Sequence, residues 1–135
     1  MKEIKSKDGK LLHIIHRITD SEGQRTDLVS EDQFIQCSFL NMKKGTTFRP
    51  HQHIWKQPSF NEIIAQESWV IIKGSVMAHF YDTEGTLIED VQLNQGDASF
   101  TLEGGHNYTI LEHDTLVYEY KTGPYEGQKK DKVFL

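Results

Sequence analysis

The sequence has one cysteine, Cys37, among 135 residues, so it cannot form an internal disulfide, which agrees with a reducing compartment. Its apolar runs are all short of the roughly 20 residues that a membrane-spanning helix needs. The first ten residues, MKEIKSKDGK, lack the apolar core of a signal peptide. We therefore expect a cytoplasmic protein without a membrane partner, in which Cys37 is a small core residue of an apolar run.

Positive charge is also scarce. Lysine and arginine total 15 against 20 aspartate and glutamate residues, which gives a formal net charge of -5. Nucleic-acid binding requires a basic patch to neutralise phosphates, and none stands out in this sequence. We expect a small-molecule ligand and no nucleic-acid partner.

Long helical periods are absent as well, and short runs rich in Val, Ile, Phe, Tyr and Thr take their place. Turn sequences such as Lys44-Gly45 and Asn94-Gln95-Gly96-Asp97 separate these runs. The pattern predicts one all-β domain over residues 1–135, a sandwich or barrel of about eight strands. The predicted strands are Leu11–Ile18, Gln33–Met42, Thr46–His53, Ser68–Tyr81, Thr86–Leu93, Ala98–Leu102, Asn107–Leu111 and Thr115–Lys121.

Side chains alternate between the two faces of a strand, which assigns faces to several of these residues. His51 and His53 share one face of their predicted strand, and two imidazoles in that arrangement can hold a single ion. The run Ser68–Tyr81 is apolar on both faces. One face is expected to line the interior and the other to pack on a second sheet or subunit, so we expect a homodimer.

Two segments of the chain resemble the motifs of a known superfamily. Gly45, five residues and His51-Gln52-His53 match the first half of one motif, and Glu67, six residues and Gly74 match its second half. Gly96-Asp97 followed by Gly104-Gly105-His106 is similar to the second motif. The chain thus resembles the cupin superfamily over about residues 40–120.

This resemblance implies a double-stranded β-helix, a jelly-roll barrel with a ligand cavity at one mouth. Cupins that bind metal hold the ion with the two histidines and the glutamate of the first motif and the histidine of the second. Those positions are His51, His53, Glu67 and His106 here. A set of three histidines and one carboxylate suits a divalent Zn, Fe, Mn or Ni ion, and it leaves a position open for water or substrate.

Thirteen residues, Ile54 to Gln66, separate His53 from Glu67. A long loop beside a cavity is more often functional than idle, and this loop carries Trp55, Lys56 and Phe60. We expect it to act as a lid. Lys56, Tyr108 and Tyr118 are the candidates for proton transfer to a bound molecule.

Three functions remain open at this point. The first is a metal-dependent enzyme, of dioxygenase or isomerase type, acting on a sugar or an oxo acid. The second is a metal-free nucleotide-sugar ketoisomerase or epimerase, in which His51 and a cavity tyrosine move protons. The third is a non-enzymatic module that binds a small ligand, because one barrel serves many chemistries.

Three other histidines lie outside these motifs. His13 and His16 are expected to be solvated on an edge strand near the N-terminus. His79 is predicted either to face the cavity or to be a hydrogen-bonded core residue.

Overall fold

The computed structural model describes residues 1–20, 23–57 and 60–135, and almost all of its regular structure is β-strand. Helical structure in these residues is limited to a 3-10 turn at Ile18–Asp20 and to α1 (Gln128–Asp131). The described strands are β1 (Lys2–Lys5), β2 (Leu11–His16), β3 (Arg25–Asp27), β4 (Ser38–Leu40), β5 (Glu67–Lys73), β6 (Ser75–Tyr81), β7 (Leu87–Asn94), β8 (Ala98–Thr101), β9 (His106–Ile110) and β10 (Leu116–Lys121).

In the described part of the chain the strands form three antiparallel sheets. A five-stranded sheet has the order β1-β2-β8-β5-β10, a three-stranded sheet has the order β7-β6-β9, and β3 pairs with β4. The first and the last strand both belong to the five-stranded sheet. Across these ranges the sheets do not close into a barrel by hydrogen bonds between strands.

The main core lies between the five-stranded and three-stranded sheets. Alternate residues of β6, Val76, Ala78 and Phe80, are fully buried and meet Ile15 and Ile71 from the facing sheet. This alternation follows from the two-residue period of a strand. Burial of a side chain such as Phe80 contributes about 1.5 to 3 kcal/mol.

A second core covers the opposite face of the five-stranded sheet. Leu28, Val29 and Ile35, from the segment between β3 and β4, pack with Ile14 and Phe100. Cys37 and Val70 are partly buried against this cluster, so the cysteine is a packing residue as expected. Both faces of β5 are therefore packed against other parts of the same chain. This packing explains the apolar residues on both faces of β5, from which we predicted a dimer, without a second subunit.

Three of the predicted strands differ from the structure. Of the run Gln33–Met42, only Ser38–Leu40 forms a strand, β4. The run Ser68–Tyr81 is broken at Gly74, whose φ of 79° lies in the left-handed region that glycine adopts most readily, so β5 and β6 enter different sheets. The prediction of a strand at Thr46–His53 is wrong, because these residues have no regular structure and all are exposed. Without an apolar face there is little burial to hold such a segment against a sheet.

The prediction for His13 and His16 is also wrong, because both side chains are buried. Strand β2 is not an edge strand, since β1 and β8 flank it. The His13 ring packs on Phe80 at a centroid distance of 4.7 Å, and His16 packs on Phe39 at the same distance on the other face. A β-hairpin from β1 to β2 supplies the outer strand that the sequence pattern did not reveal.

No helix in the described ranges is both long enough and apolar enough to cross a membrane.

Candidate functional site

Glu67 and His106 meet between the two larger sheets. Glu67 is the first residue of β5 and lies opposite Thr101 of β8 and Lys121 of β10. His106 is the first residue of β9 and lies opposite Phe80 of β6. His106 Nε2 lies 3.0 Å from Glu67 Oε1, with side-chain exposures of 19% and 11%, so the two groups form a hydrogen bond that is largely shielded from water.

A carboxylate oxygen only accepts hydrogen bonds, so Nε2 of His106 is the donor in this pair. Nδ1 of His106 is buried and has no hydrogen-bond partner among the described residues. In the neutral ring, one nitrogen carries the proton and the other a lone pair. The hydrogen bond to Glu67 therefore holds the proton on Nε2 and leaves a lone pair on Nδ1. This lone pair lies in the protein interior, where buried polar atoms normally have a partner.

The charge of Glu67 is set by opposing effects. Burial alone would raise the pKa of this carboxyl group, but its hydrogen bond and charge interaction with His106, together with Lys121 and Lys132, lower the pKa below its usual range. Lys121 Nζ lies 3.7 Å from Glu67 Oε2. Glu67 is therefore an ionised hydrogen-bond acceptor at neutral pH.

An aromatic wall lies beside the pair. Trp69 stacks on Tyr108 with ring centroids 3.9 Å apart, and the Tyr108 ring is 5.6 Å from that of His106. The Tyr108 hydroxyl lies 2.8 Å from Ser99 Oγ. Burial raises the pKa of Tyr108 far above its usual range, although the Ser99 hydrogen bond opposes the shift. Tyr108 therefore stays protonated and can act as a hydrogen-bond donor.

Residues near the C-terminus border this end of the sandwich. Asp131 of α1 lies 3.5 Å from Lys121 Nζ, and the Leu135 side chain packs against Gly105, next to His106. Glu119 accepts a 3.1 Å hydrogen bond from Trp69 Nε1 and lies 3.4 Å from Lys121 Nζ. Lys121 is thus held among three carboxylates.

The structure brings together two of the four predicted metal ligands. His51 and His53 lie in the exposed, irregular segment of residues 41–57, with their rings 5.6 Å apart, and His51 Nδ1 is 3.0 Å from the Arg49 carbonyl oxygen. Across the described ranges, no group of three or more His, Cys, Asp or Glu side chains is arranged to hold a metal ion. The four residues therefore do not fit a shared ion in this arrangement.

Of the three proton-transfer candidates, Tyr108 lies beside the Glu67–His106 pair. Tyr118 is 59% exposed on β10, and Lys56 is exposed in the loop. Trp55 is fully exposed, and Phe60 contacts Phe34 at a centroid distance of 4.8 Å. Pro58 and Ser59, in the middle of the predicted lid, lie outside the described residues.

His79 is hydrogen-bonded as predicted, but its predicted position in the core or facing the cavity is wrong. Its Nδ1 lies 2.7 Å from Asp90 Oδ1 and its Nε2 lies 2.9 Å from Thr109 Oγ1. It lies on the face of β6 opposite to the buried side chains Ala78 and Phe80. His79 and Asp90 therefore form a second histidine–carboxylate pair, which lies outside the candidate site.

Sequence reasoning missed Lys121 and Ser99 as members of the site. Alternation along β10 places Glu119 and Lys121 on one face, but only the register of β10 against β5 places Lys121 opposite Glu67. Ser99 reaches Tyr108 across the two sheets. Neither pairing has a local sequence signal.

Comparison of the chain with protein-family models, with curated proteins and with solved structures gave no match.

Proposed function

We propose that this protein is an isomerase or epimerase that moves a proton on a small polar carbonyl compound, such as a sugar derivative, at the Glu67–His106 pair. The observation that carries the proposal is the 3.0 Å contact between His106 Nε2 and Glu67 Oε1, which leaves Nδ1 of His106 without a partner in the described structure. A base oriented by a carboxylate is a common arrangement for proton transfer.

Each residue of the site has a role in this proposal. The substrate must displace the groups that bury Nδ1 of His106, which then takes a proton from the carbon next to the substrate carbonyl. The ionised Glu67 stabilises the imidazolium that forms, and the protonated Tyr108 hydroxyl donates a hydrogen bond to the carbonyl oxygen as negative charge develops there. Return of the proton to either face, or to the neighbouring carbon, gives an epimer or an isomer.

The motif resemblance leads us to propose further that the two facing sheets are a variant of the cupin double-stranded β-helix. The antiparallel pairing and the position of Glu67 and His106 at the same end of the sandwich support this assignment. The irregular segment that holds His51 and His53 would be the part that departs from the barrel. Binding of a divalent Zn, Fe, Mn or Ni ion by His51, His53, Glu67 and His106 stays a prediction, and it requires that segment to move towards Glu67.

The proposal predicts deuterium exchange into a substrate. The protein is incubated in D2O with a panel of nucleotide sugars and small oxo acids, and incorporation at carbon is followed by mass spectrometry. His106→Gln removes the base and should slow the exchange by about 100-fold to 10,000-fold. Glu67→Gln retains the shape but not the charge of the partner, and should slow exchange by about 10-fold to 100-fold.

Two control variants give this experiment its specificity. His79→Gln disrupts a histidine–carboxylate pair outside the site and should leave the rate unchanged. The double variant His51→Ala, His53→Ala should do the same. A loss of exchange in the double variant, together with loss of a co-purifying metal ion, would replace the proton-transfer proposal with the metal-dependent one. Absence of exchange with every compound would favour a binding function instead.

A further inference from the structure

A cavity lies on the face of the five-stranded sheet that looks away from the Glu67–His106 pair. Its volume is about 400 Å³, within the range of about 300 to 1,000 Å³ that small-molecule sites occupy. Its wall includes Phe34, Cys37, Ser68, Val70, Phe100 and Tyr120. Most of these side chains are apolar or aromatic, so the cavity favours a ligand with apolar surface.

Ser68 is a buried polar residue of this wall whose hydroxyl has no hydrogen-bond partner among the described residues. It lies in β5 directly opposite Phe100 of β8 and Tyr120 of β10, so the three residues lie side by side across neighbouring strands. Ser68 is 2% exposed, and its hydroxyl makes no hydrogen bond with any described residue. A buried hydroxyl without a partner costs free energy, and a ligand that hydrogen-bonds to it would recover that cost.

The other polar groups of the wall do not favour a charged ligand. Burial raises the pKa of the Cys37 thiol, so it stays neutral and acts as a small apolar group. Lys121 also borders the cavity, but its ammonium group is paired with Glu67, Glu119 and Asp131.

We propose that this cavity binds a small neutral molecule that is mostly apolar and carries one hydroxyl or amide group, which hydrogen-bonds to Ser68. The cavity lies on the face of β5 opposite to the Glu67–His106 pair, and Lys121 borders both sites. Side chains of Ser68 and Val70 form its floor, whereas Glu67 and Trp69 point to the other side. Phe60 contacts Phe34, which places the Phe60 ring at the rim of the cavity.

Two aromatic probes that differ by one hydroxyl test the proposal. Binding of 2-naphthol and of naphthalene to the full chain is measured by titration of ¹⁵N-labelled protein with detection of the backbone amide signals. We expect 2-naphthol to bind more tightly by about 2-fold to 13-fold, the range that a neutral hydrogen bond supplies. The largest signal changes should occur at Ser68, Val70 and Phe100.

The variant Ser68→Ala should bind both probes with equal affinity while its melting temperature does not fall. Ser99→Ala is the matched control, because Ser99 lies on the neighbouring strand and its hydroxyl pairs with Tyr108 on the other face. It should keep the preference for 2-naphthol. The proposal is overturned if neither probe binds up to its solubility limit, if the signal changes map elsewhere, or if Ser68→Ala retains the preference.

Discussion

The free energy of unfolding should fall by about 2 to 3 kcal/mol when the pH is lowered from about 6.5 to about 4.5, through His13 alone. Burial lowers the pKa of His13 to about 4, although the Tyr81 carbonyl opposes the shift and the charge of His106 adds to it. Burial also lowers the pKa of His16. Both histidines are therefore neutral in the folded protein at neutral pH.

The direction follows from proton binding. Between the folded pKa near 4 and the unfolded value near 6.5, the unfolded chain binds more protons than the folded protein. Stability is therefore complete above the unfolded value and is lost as the pH falls towards the folded value. His13 Nε2 donates to the Tyr81 carbonyl at 2.9 Å and Nδ1 accepts from the Thr101 hydroxyl at 3.1 Å, so the neutral ring is fully paired.

Urea denaturation at a series of pH values measures this effect. His13→Gln should be less stable at neutral pH and should lose the part of the pH dependence in this window that comes from His13, which leaves the part from His16. His79→Gln should keep both parts, because the His79 side chain lies outside the core. A wild-type stability that stays constant between about pH 6.5 and about pH 4.5 would show that His13 is not buried in its neutral form.

Replacement of Gly104 by alanine should destabilise the protein by about 2 to 5 kcal/mol. Gly104 has a φ of 80°, and a methyl group on its Cα would overlap the carbonyl oxygen of Tyr81. That oxygen accepts hydrogen bonds from the Gly105 amide at 3.2 Å and from His13 Nε2 at 2.9 Å. The substitution would therefore displace the backbone that leads into His106.

Gly9→Ala is a matched control for the backbone conformation. Gly9 has a φ of 88°, and a methyl group there would meet no atom within 4 Å. It should cost only the conformational strain of about 1 to 2 kcal/mol. Thermal and urea denaturation of both variants separates the free-energy cost of backbone strain from the cost of steric overlap with Tyr81. Equal costs in the two variants would mean that the turn before His106 is not packed against Tyr81.

The sequence was sufficient to predict a fold made of β-strands, because the alternation of side chains along a strand and the residues of turns are local signals. Strands β5 to β10 lie close to the predicted positions, with the longest run divided at Gly74. The segment Thr46–His53 contains Phe48 and two threonines, which are residue types common in strands. Its lack of a partner strand is a property of the whole fold, which no local pattern records.

The candidate site could be predicted only in part. Glu67 and His106 were identified through motif spacing, and the structure places them in contact. Their partner Lys121 depends on the register of two strands that are far apart in sequence. The burial of His13 and His16 likewise depends on Phe80 and Phe39, which cover the two faces of β2 and lie far from it in sequence.

The tautomer of His106 can be measured without knowledge of the substrate, and it decides whether Glu67 orients this ring as a base. Long-range ¹H–¹⁵N correlation spectra at about pH 8, where histidine side chains are ordinarily neutral, distinguish a protonated from an unprotonated ring nitrogen. We expect a proton on Nε2 and a free lone pair on Nδ1, with the proton redistributed between the two nitrogens in Glu67→Gln. A proton on Nδ1 in the wild-type protein would contradict the assignment of His106 as a base oriented by Glu67.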